Sequence, residues 1–345
     1  YWCDGLDVAK REVLKEVLDK AELNGQEILT QMEYNFLNTQ GNFSQKLMSA
    51  LQGANVSGAD TRCEQYGTSS LSAFIRLAYP NDNTDELFLD LNINNVIIGS
   101  GSEGIMSNIM RTFLRSDDQI LTSANSFIGF RVLANASGNK CNWIPMKNDK
   151  YDLKKIGESI NSNTKIIYLA NPDNPTGTYF TKQEFDDFMC NVPNRILVIL
   201  DEAYYEYAAY IKDYPDSMLY RYDNVITLRT FSKSYGLAGF RVGYGFAHRK
   251  LITNLLKVKL PFEPSIPAQI AALAAINDKK HLEATLNENY NGIKYLLNEF
   301  DKINLRTIPT VTNFITIIFE NKLKANNFLK KMLYNGVILR GLKSF

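Results

Sequence analysis

The chain has 345 residues, of which 45% are hydrophobic and 22% are charged, and its formal net charge is +1. This length suits two domains of unequal size, and the composition excludes a disordered chain. The near-neutral charge gives no reason to expect a nucleic acid or an anionic membrane as partner, and no apolar run approaches the roughly 18 residues that a membrane helix needs.

The few metal-ligating residue types limit the possible chemistry. The four cysteines are widely spaced and form no CxxC pair, which is typical of reduced thiols in a cytoplasmic protein. The two histidines, His248 and His281, are too few for a histidine-based metal site or a Ser-His-Asp triad. We therefore expect no metal.

The first predicted element is an amphipathic helix over residues 7–23, with apolar residues at helical spacing. We interpret it as a packing element, so that residues 1–45 form an N-terminal helix and arm. A large domain is predicted over residues 46–262 and a small C-terminal domain over residues 263–345. The chain begins without Met and stops just after a strand-like segment, so we expect the natural protein to continue at both ends.

From about residue 95, short apolar runs alternate with helical stretches. Such runs are typical of strands buried on both faces, and their alternation with helices predicts a mostly parallel α/β sheet. The predicted strands are NVIIG, QILTS, KIIYLA, ILVILD and NVITLRT.

The pattern changes beyond Pro261. Helices are predicted at about 264–277 and 279–302, followed by the strand NFITIIF, a helix near 323–334 and the strand VILR. This order predicts a smaller α+β domain.

Two loops with turn-forming residues stand at predicted strand ends, where open α/β sheets bind ligands. In IIGSGSEGIM the strand gives way to glycines and then to a helix, whose free N-terminal amides attract a phosphate. In NPDNPTGTYF, Asn174 is held extended by the following proline, so its amide can donate to a ligand oxygen. Either loop could also be a plain turn.

Asp201 ends the apolar strand of ILVILDEAYYEY. A carboxylate there is costly unless it is paired with a cation, and a protonated pyridine nitrogen would be such a partner. Tyr204 follows at a distance that lets its hydroxyl reach the same ligand. A helix-capping role for Asp201 is the alternative.

In RTFSKSYGLAGFRVGY a strand leads to Ser232 and Lys233, then to a glycine-spaced loop and Arg241. A desolvated lysine has a lowered pKa, so its free amine can attack a carbonyl. Ser232 and Arg241 offer a hydroxyl and a guanidinium for a phosphate. Taken in chain order, the four segments provide a phosphate cup, a phenolate donor, a pyridinium partner and an amine for a Schiff base, which are the requirements of pyridoxal 5'-phosphate.

NPDNPTG, DEAYYEY and RTFSKSYGLAGFRVGY resemble the fold-type I, class I/II aminotransferases that use this cofactor, and among them most closely the histidinol-phosphate aminotransferases and their relatives. The resemblance runs from about Tyr66 to Arg340. It implies a pyridoxal-phosphate-dependent transferase fold, with a large domain around a mostly parallel sheet and a smaller α+β domain.

The resemblance also implies roles for individual residues. Lys233 carries the cofactor as a Schiff base and shuttles the proton, Asp201 binds the pyridine nitrogen, and Tyr204 and Asn174 hold the phenolic oxygen. Phe127, in NSFIGF, matches the aromatic residue that stacks on the ring.

Further matches concern the phosphate, the substrate and the partner subunit. The turn Gly101-Ser102-Glu103 matches the phosphate site together with Ser232 and Arg241, although it reads Ser-Glu-Gly where the family commonly has Ser-Asp-Glu. Tyr66, in EQYGT, matches a tyrosine that reaches the neighbouring subunit's cofactor phosphate, which implies a homodimer. Arg340, in VILRGL, matches an arginine that contacts substrate.

These matches favour an aminotransferase that moves an amino group between an amino acid and a keto compound, with phosphorylated keto compounds among the candidates. The fork of Arg340 suits a substrate with an anionic group. An amino-acid decarboxylase on the same scaffold, similar to the threonine-phosphate decarboxylases, is the alternative. A non-catalytic protein that has kept the fold is a third hypothesis.

Overall fold

The computed structural model describes residues 93–217 and 222–342. The amphipathic helix predicted over residues 7–23 and Tyr66 lie outside the described residues. Within them, the central feature is a seven-stranded sheet with the order β1-β7-β6-β5-β4-β2-β3. Its strands are β1 (Val96–Gly99), β2 (Gln119–Ser123), β3 (Lys140–Ile144), β4 (Thr164–Ala170), β5 (Leu197–Asp201), β6 (Val225–Thr230) and β7 (Gly243–Ala247).

The sheet is mostly parallel, as the sequence predicts. Strands β2 to β6 pair in parallel, whereas β7 runs antiparallel to both of its neighbours, β6 and β1. Every residue of β5 and β6 is buried. Apolar clusters cover both faces of the sheet, which explains the continuous apolar run LVIL in β5.

Helices connect and cover the strands. In the described ranges they are α1 (Gly101–Phe113), α2 (Ile128–Ser137), α3 (Leu153–Glu158), α4 (Lys182–Met189), α5 (Tyr205–Ala208), α6 (Arg249–Leu256), α7 (Ile266–Asn277), α8 (Lys279–Lys302) and α9 (Lys322–Tyr334). None of these described helices combines the length and the apolar content needed to cross a bilayer.

Local sequence fixes several helix starts. Thr181 precedes α4, and its side chain accepts a hydrogen bond from the backbone N–H of Glu184, whose carboxylate accepts from Thr181 N–H in return. Ser265 caps α7, which carries a proline in its first turn. Such caps satisfy amides that have no partner inside the helix.

Two predicted strands of the small domain are not found in the described residues. NFITIIF contributes only an isolated bridge between Ile317 and Thr307, and residues 337–340 form no strand. Apolar alternation shows that a segment can be extended, but a strand also needs a hydrogen-bonded neighbour. In 337–340 the side chains stay exposed, Ile338 by 85%.

Candidate active site

The loops that carry the predicted site residues meet at one edge of the sheet. Because β1 and β6 are both antiparallel to β7, they run in the same direction as β4 and β5. The carboxyl ends of these four strands therefore lie on the same side, where open α/β sheets bind ligands. Asp201 lies at the end of β5, and Gly101, Asn174 and Lys233 follow the ends of β1, β4 and β6.

Asp201 is the last residue of β5, and its side chain is buried. The Tyr168 hydroxyl donates to its Oδ2 atom at 2.9 Å, and the backbone N–H of Ala203 donates to Oδ1 at 3.1 Å. Burial raises the pKa of the Asp201 carboxyl to about 6, although these hydrogen bonds and the charge of Lys233 act in the opposite direction. A buried carboxylate in this setting is stabilised by a cationic partner.

Lys233 is partly buried and follows β6 by three residues. Its pKa is lowered mainly by burial, against the charges of Asp201 and Glu103, while Arg241 reinforces the lowering. The lysine Nζ atom lies 5.2 Å from the centre of the Tyr204 ring. The structure thus brings Lys233, Asp201 and Tyr204 together, with the amine biased toward its nucleophilic neutral form.

Asn174 and Tyr204 form a hydrogen-bonded pair beside this lysine. The Asn174 Nδ2 atom donates to the Tyr204 hydroxyl oxygen at 2.8 Å, which leaves the tyrosine's own proton free to donate elsewhere. Burial raises the pKa of Tyr204 to about 12, so the hydroxyl stays protonated at neutral pH. Arg340, although exposed, acts on this hydroxyl by lowering its pKa and so lies within electrostatic range of the site.

The glycine turn after β1 packs closely against β7. Gly101 has a φ of +73°, and a Cβ added to it would lie 2.8 Å from an Arg241 guanidinium nitrogen. A Cβ on Gly243 would lie 2.7 Å from the backbone nitrogen of Ser102. Glycine at position 101 leaves room for the Arg241 guanidinium, and glycine at position 243 lets β7 approach the first turn of α1. Ser100, the N-cap residue of α1, makes no side-chain capping bond, so the first-turn amides remain available to an anion.

Arg241 links this turn to the lysine-bearing loop. Its guanidinium donates to the Ser232 hydroxyl at 3.4 Å and to Glu103 Oε2 at 3.3 Å. Phe127, which precedes α2, lies beside the same turn, since a Cβ on Gly129 would come within 2.5 Å of both its ring and Glu103 Oε1. The predicted phosphate-binding residues are therefore neighbours.

Tyr168 contacts the candidate site, and the sequence predictions did not include it. Its ring is fully buried in β4 and stacks on Phe130 with 3.8 Å between the ring centroids. A tyrosine inside an apolar strand was a usable signal, because a buried hydroxyl needs a hydrogen-bond partner. That partner is Asp201, on the neighbouring strand.

Comparison with known proteins defines the class. The family model for aminotransferase class I and II matches residues 27–345. The chain belongs to this family, and it is a pyridoxal-phosphate-dependent aminotransferase, as the motifs predict. The relatives found are aminotransferases, so the decarboxylase alternative is not favoured.

Individual relatives carry the comparison further. Over 249 residues the chain is 37% identical to histidinol-phosphate aminotransferase 2 of Carboxydothermus hydrogenoformans, covering 72% of this chain and 68% of that protein. It is also 37% identical over 255 residues to the histidinol-phosphate aminotransferase of Brevibacillus brevis, covering 73% and 69% of the two chains.

Solved structures share the fold. The histidinol-phosphate aminotransferase from Sinorhizobium meliloti, in complex with pyridoxal 5'-phosphate, superposes with a TM-score of 0.73 at 24% identity, covering 87% of this chain and 79% of that one. An Escherichia coli protein with a methionine aminotransferase function gives a TM-score of 0.70 at 18% identity, covering 86% and 80%. Neighbours with different substrates thus share this architecture, and the fold alone does not set the substrate.

Proposed function

We propose that the cluster around Lys233 is the active site and that it transfers an amino group between an amino acid and a keto substrate. The observation that carries this proposal is the position of Lys233 next to Asp201 and Tyr204, with its pKa lowered by burial. When bound, pyridoxal 5'-phosphate supplies an electron sink for the charge left when a proton leaves the substrate's α-carbon.

The residues at the edge of the sheet fit this cofactor. Asp201 would accept a hydrogen bond from the pyridine nitrogen and hold the proton there. Tyr204, kept protonated and oriented by Asn174, would donate its hydroxyl proton to the phenolic oxygen of the ring. Phe127 would pack on the ring face, which excludes water from the reacting atoms.

The phosphate would bind where the turn Gly101-Ser102-Glu103, Ser232 and Arg241 meet. The amides of α1, the Ser232 hydroxyl and the Arg241 guanidinium are all donors, and such groups suit a phosphate. The contribution of Glu103 would be its backbone amide, because its carboxylate now pairs with Arg241.

Lys233 would have two tasks. Its neutral amine would join the cofactor as a Schiff base in the resting enzyme, which requires the lowered pKa. Its Nζ atom would also act as the base that takes the proton from the substrate's α-carbon and gives it back. The charges of Asp201 and Glu103 would stabilise the ammonium form between these steps.

We further propose a substrate with an anionic group, of which histidinol phosphate is the first candidate. Arg340 supports this proposal, since it acts electrostatically on Tyr204 and offers a fork for a phosphate or carboxylate. The similarity to histidinol-phosphate aminotransferases supports the same choice.

The assembly and the compartment are also proposals. Tyr66 would donate to the cofactor phosphate of a neighbouring subunit, which requires a homodimer. Cys141 and Cys190, the cysteines within the described ranges, are free thiols, and this supports the expected cytoplasmic location.

A half-reaction screen tests the proposed function. Protein loaded with pyridoxal 5'-phosphate is mixed with single amino acids or with histidinol phosphate, and the visible band of the bound cofactor is followed. We expect histidinol phosphate to abolish the band and to yield the corresponding keto product in stoichiometric amount. The Lys233→Ala variant serves as control. The proposal would be contradicted if none of the amines abolished the band, or if the Lys233→Ala control formed as much product as wild type.

A further inference from the structure

Asp173 is a fully buried carboxylate for which the proposed chemistry has no task. It lies in NPDNPTG, directly before Asn174. Its hydrogen-bond donors are protein groups, among them the backbone N–H of Asn174. The Ser126 hydroxyl donates to Oδ1 at 2.7 Å, and the Thr176 hydroxyl and backbone N–H donate to Oδ2 at 2.9 and 3.3 Å. Burial raises the pKa of Asp173 to about 6, while these hydrogen bonds favour its ionised form.

The bond from Ser126 belongs to a directed chain. The backbone N–H of Ala170 donates to the Tyr151 hydroxyl oxygen at 3.1 Å, and the hydroxyls of Tyr151 and Ser126 lie 2.6 Å apart. Because the single proton of Ser126 goes to Asp173, the proton between these two hydroxyls comes from Tyr151. Burial raises the pKa of Tyr151, so this donor keeps its proton. Each hydroxyl thus has one orientation, and the chain ends on Asp173.

The two ends of the Ser126–Asp173 bond adjoin the residues expected to hold the cofactor ring. Ser126 is followed by Phe127, which would pack on the ring face. Asp173 is followed by Asn174, which orients Tyr204 at the ring edge. A charge-assisted hydrogen bond therefore joins two segments that are separate in sequence but would contact the same ring.

We propose that Asp173 is a positioning residue that fixes Phe127 and Asn174 relative to one another, and so holds the face and the edge of the cofactor ring in a single geometry. This inference rests on the proposed function, in which both residues contact the ring. Small displacements of a reacting group have large effects on rate.

A purely local role for Asp173 makes a different prediction. The hydrogen bonds from Thr176 to Asp173 close the turn within the loop. If Asp173 only stabilised this turn, its bond with Ser126 would not affect the cofactor. The bond from Ser126 connects the turn to another part of the molecule. Ser126→Ala removes this connection and leaves the turn intact, so it separates the two roles.

The experiment compares Ser126→Ala and Asp173→Asn with wild type as cofactor-loaded enzymes. Asp213→Asn is the matched control, because Asp213 also accepts from a hydroxyl, that of Tyr179, but at an exposed site. The readouts are the circular dichroism of the visible cofactor band, which reports ring orientation, and kcat and KM for the amino donor. Cofactor retained after borohydride reduction is measured in parallel.

We expect Ser126→Ala and Asp173→Asn to retain the cofactor, to lose half or more of the visible circular dichroism, and to lower kcat by roughly tenfold or more, since a hydrogen bond to a charged group is lost. The double variant should be no worse than the more impaired single variant, because both changes break the same link. Asp213→Asn should match wild type.

Wild-type circular dichroism and kcat in Ser126→Ala would overturn the proposal, even if Asp173→Asn fails to fold, and would leave the proposed function intact. Additive losses in the double variant would also overturn it. If wild type itself binds no cofactor, the proposed function fails, and the inference fails with it.

Discussion

Burial is the main influence on the charges of the site. It raises the pKa of Asp201 to about 6 and lowers that of Lys233, so each group is pushed toward its neutral form. Their mutual attraction opposes both shifts. A cationic ring nitrogen would restore the charge of Asp201 without requiring a charged lysine, which leaves the amine free for its covalent task.

The raised pKa of Asp201 has a measurable effect on the cofactor-free protein. An acid with a pKa of 3.8 when unfolded and about 6 when folded destabilises the folded state once it is ionised, by roughly 3 kcal/mol. The folded state holds the extra proton between these values, so its stability falls as the pH rises through that window and is constant above it.

We therefore expect Asp201→Asn, which carries no charge, to be more stable than wild type by an amount that grows from about pH 4 to pH 6 and then stays constant. The measurement is the free energy of unfolding in urea at several pH values for the two cofactor-free proteins. The other buried carboxyl groups are present in both proteins, so their contributions cancel in the difference between the two unfolding free energies. A difference independent of pH would show that Asp201 titrates normally.

Arg340 should determine affinity for an anionic substrate. We expect Arg340→Ala to raise KM for a phosphorylated amine by well over tenfold, since a charged hydrogen-bonding partner contributes about 1.5–3 kcal/mol. The visible cofactor band should not change. Arg249→Ala, also exposed, is the control. Unchanged KM, or an equal loss on an uncharged amine, would remove the basis for an anionic substrate.

Among the elements, the close approach of β7 to the first turn of α1 would shape the proposed phosphate site. A Cβ on Gly243 would meet backbone atoms of Ser102 and Gly101 at 2.7 and 2.8 Å, and backbone cannot rotate away. We expect Gly243→Ala to displace the α1 amides and to weaken cofactor binding by roughly tenfold or more.

Equilibrium dialysis with pyridoxal 5'-phosphate measures this effect. Gly239→Ala is the matched control, because nothing lies within 4 Å of the atom it adds. Cofactor affinity equal to wild type in Gly243→Ala, with the fold preserved, would place the phosphate elsewhere.

Strands buried on both faces were predictable from the sequence, and exposed or partly paired strands were not. Strands β4 and β5 contain the continuous apolar runs IIYLA and LVIL, and the structure confirms them together with β6, whose sequence VITLRT is interrupted by polar residues. Strand β3 was missed because KCNWI is an edge strand that is nowhere fully buried and lacks such a run. The strands predicted at 313–319 and 337–340 fail because alternation does not show whether a neighbour is present.

The residues proposed to hold the cofactor could be singled out from the sequence because most of those in the described ranges lie in short motifs at strand ends. The links between motifs were not, since they join residues distant in sequence. The Tyr168 hydroxyl on β4 donates to Asp201 on the neighbouring strand β5, and the Ser126 hydroxyl donates to Asp173 from a different loop. Spacing along one strand or helix carries no information on such contacts.

For the whole molecule, the proposed homodimer can be tested with two inactive variants. Lys233→Ala and Tyr66→Ala proteins are each expected to have little activity. If Tyr66 serves the neighbouring subunit's site, a mixed dimer contains one complete site, so an equimolar mixture should recover about a quarter of wild-type activity. As a control, each variant is chemically cross-linked before mixing, so that mixed dimers cannot form. No recovery, or a fully active monomer in sedimentation, would contradict the composite site.

The central claim is that Lys233 holds the cofactor, and covalent trapping tests it most directly. Protein loaded with pyridoxal 5'-phosphate is reduced with borohydride, digested and mapped by mass spectrometry. We expect one modified peptide, with the added mass on Lys233, and a loss of activity in proportion to its yield. Lys233→Ala should give no adduct and no turnover. An adduct on a different lysine, or wild-type turnover by Lys233→Ala, would contradict the claim.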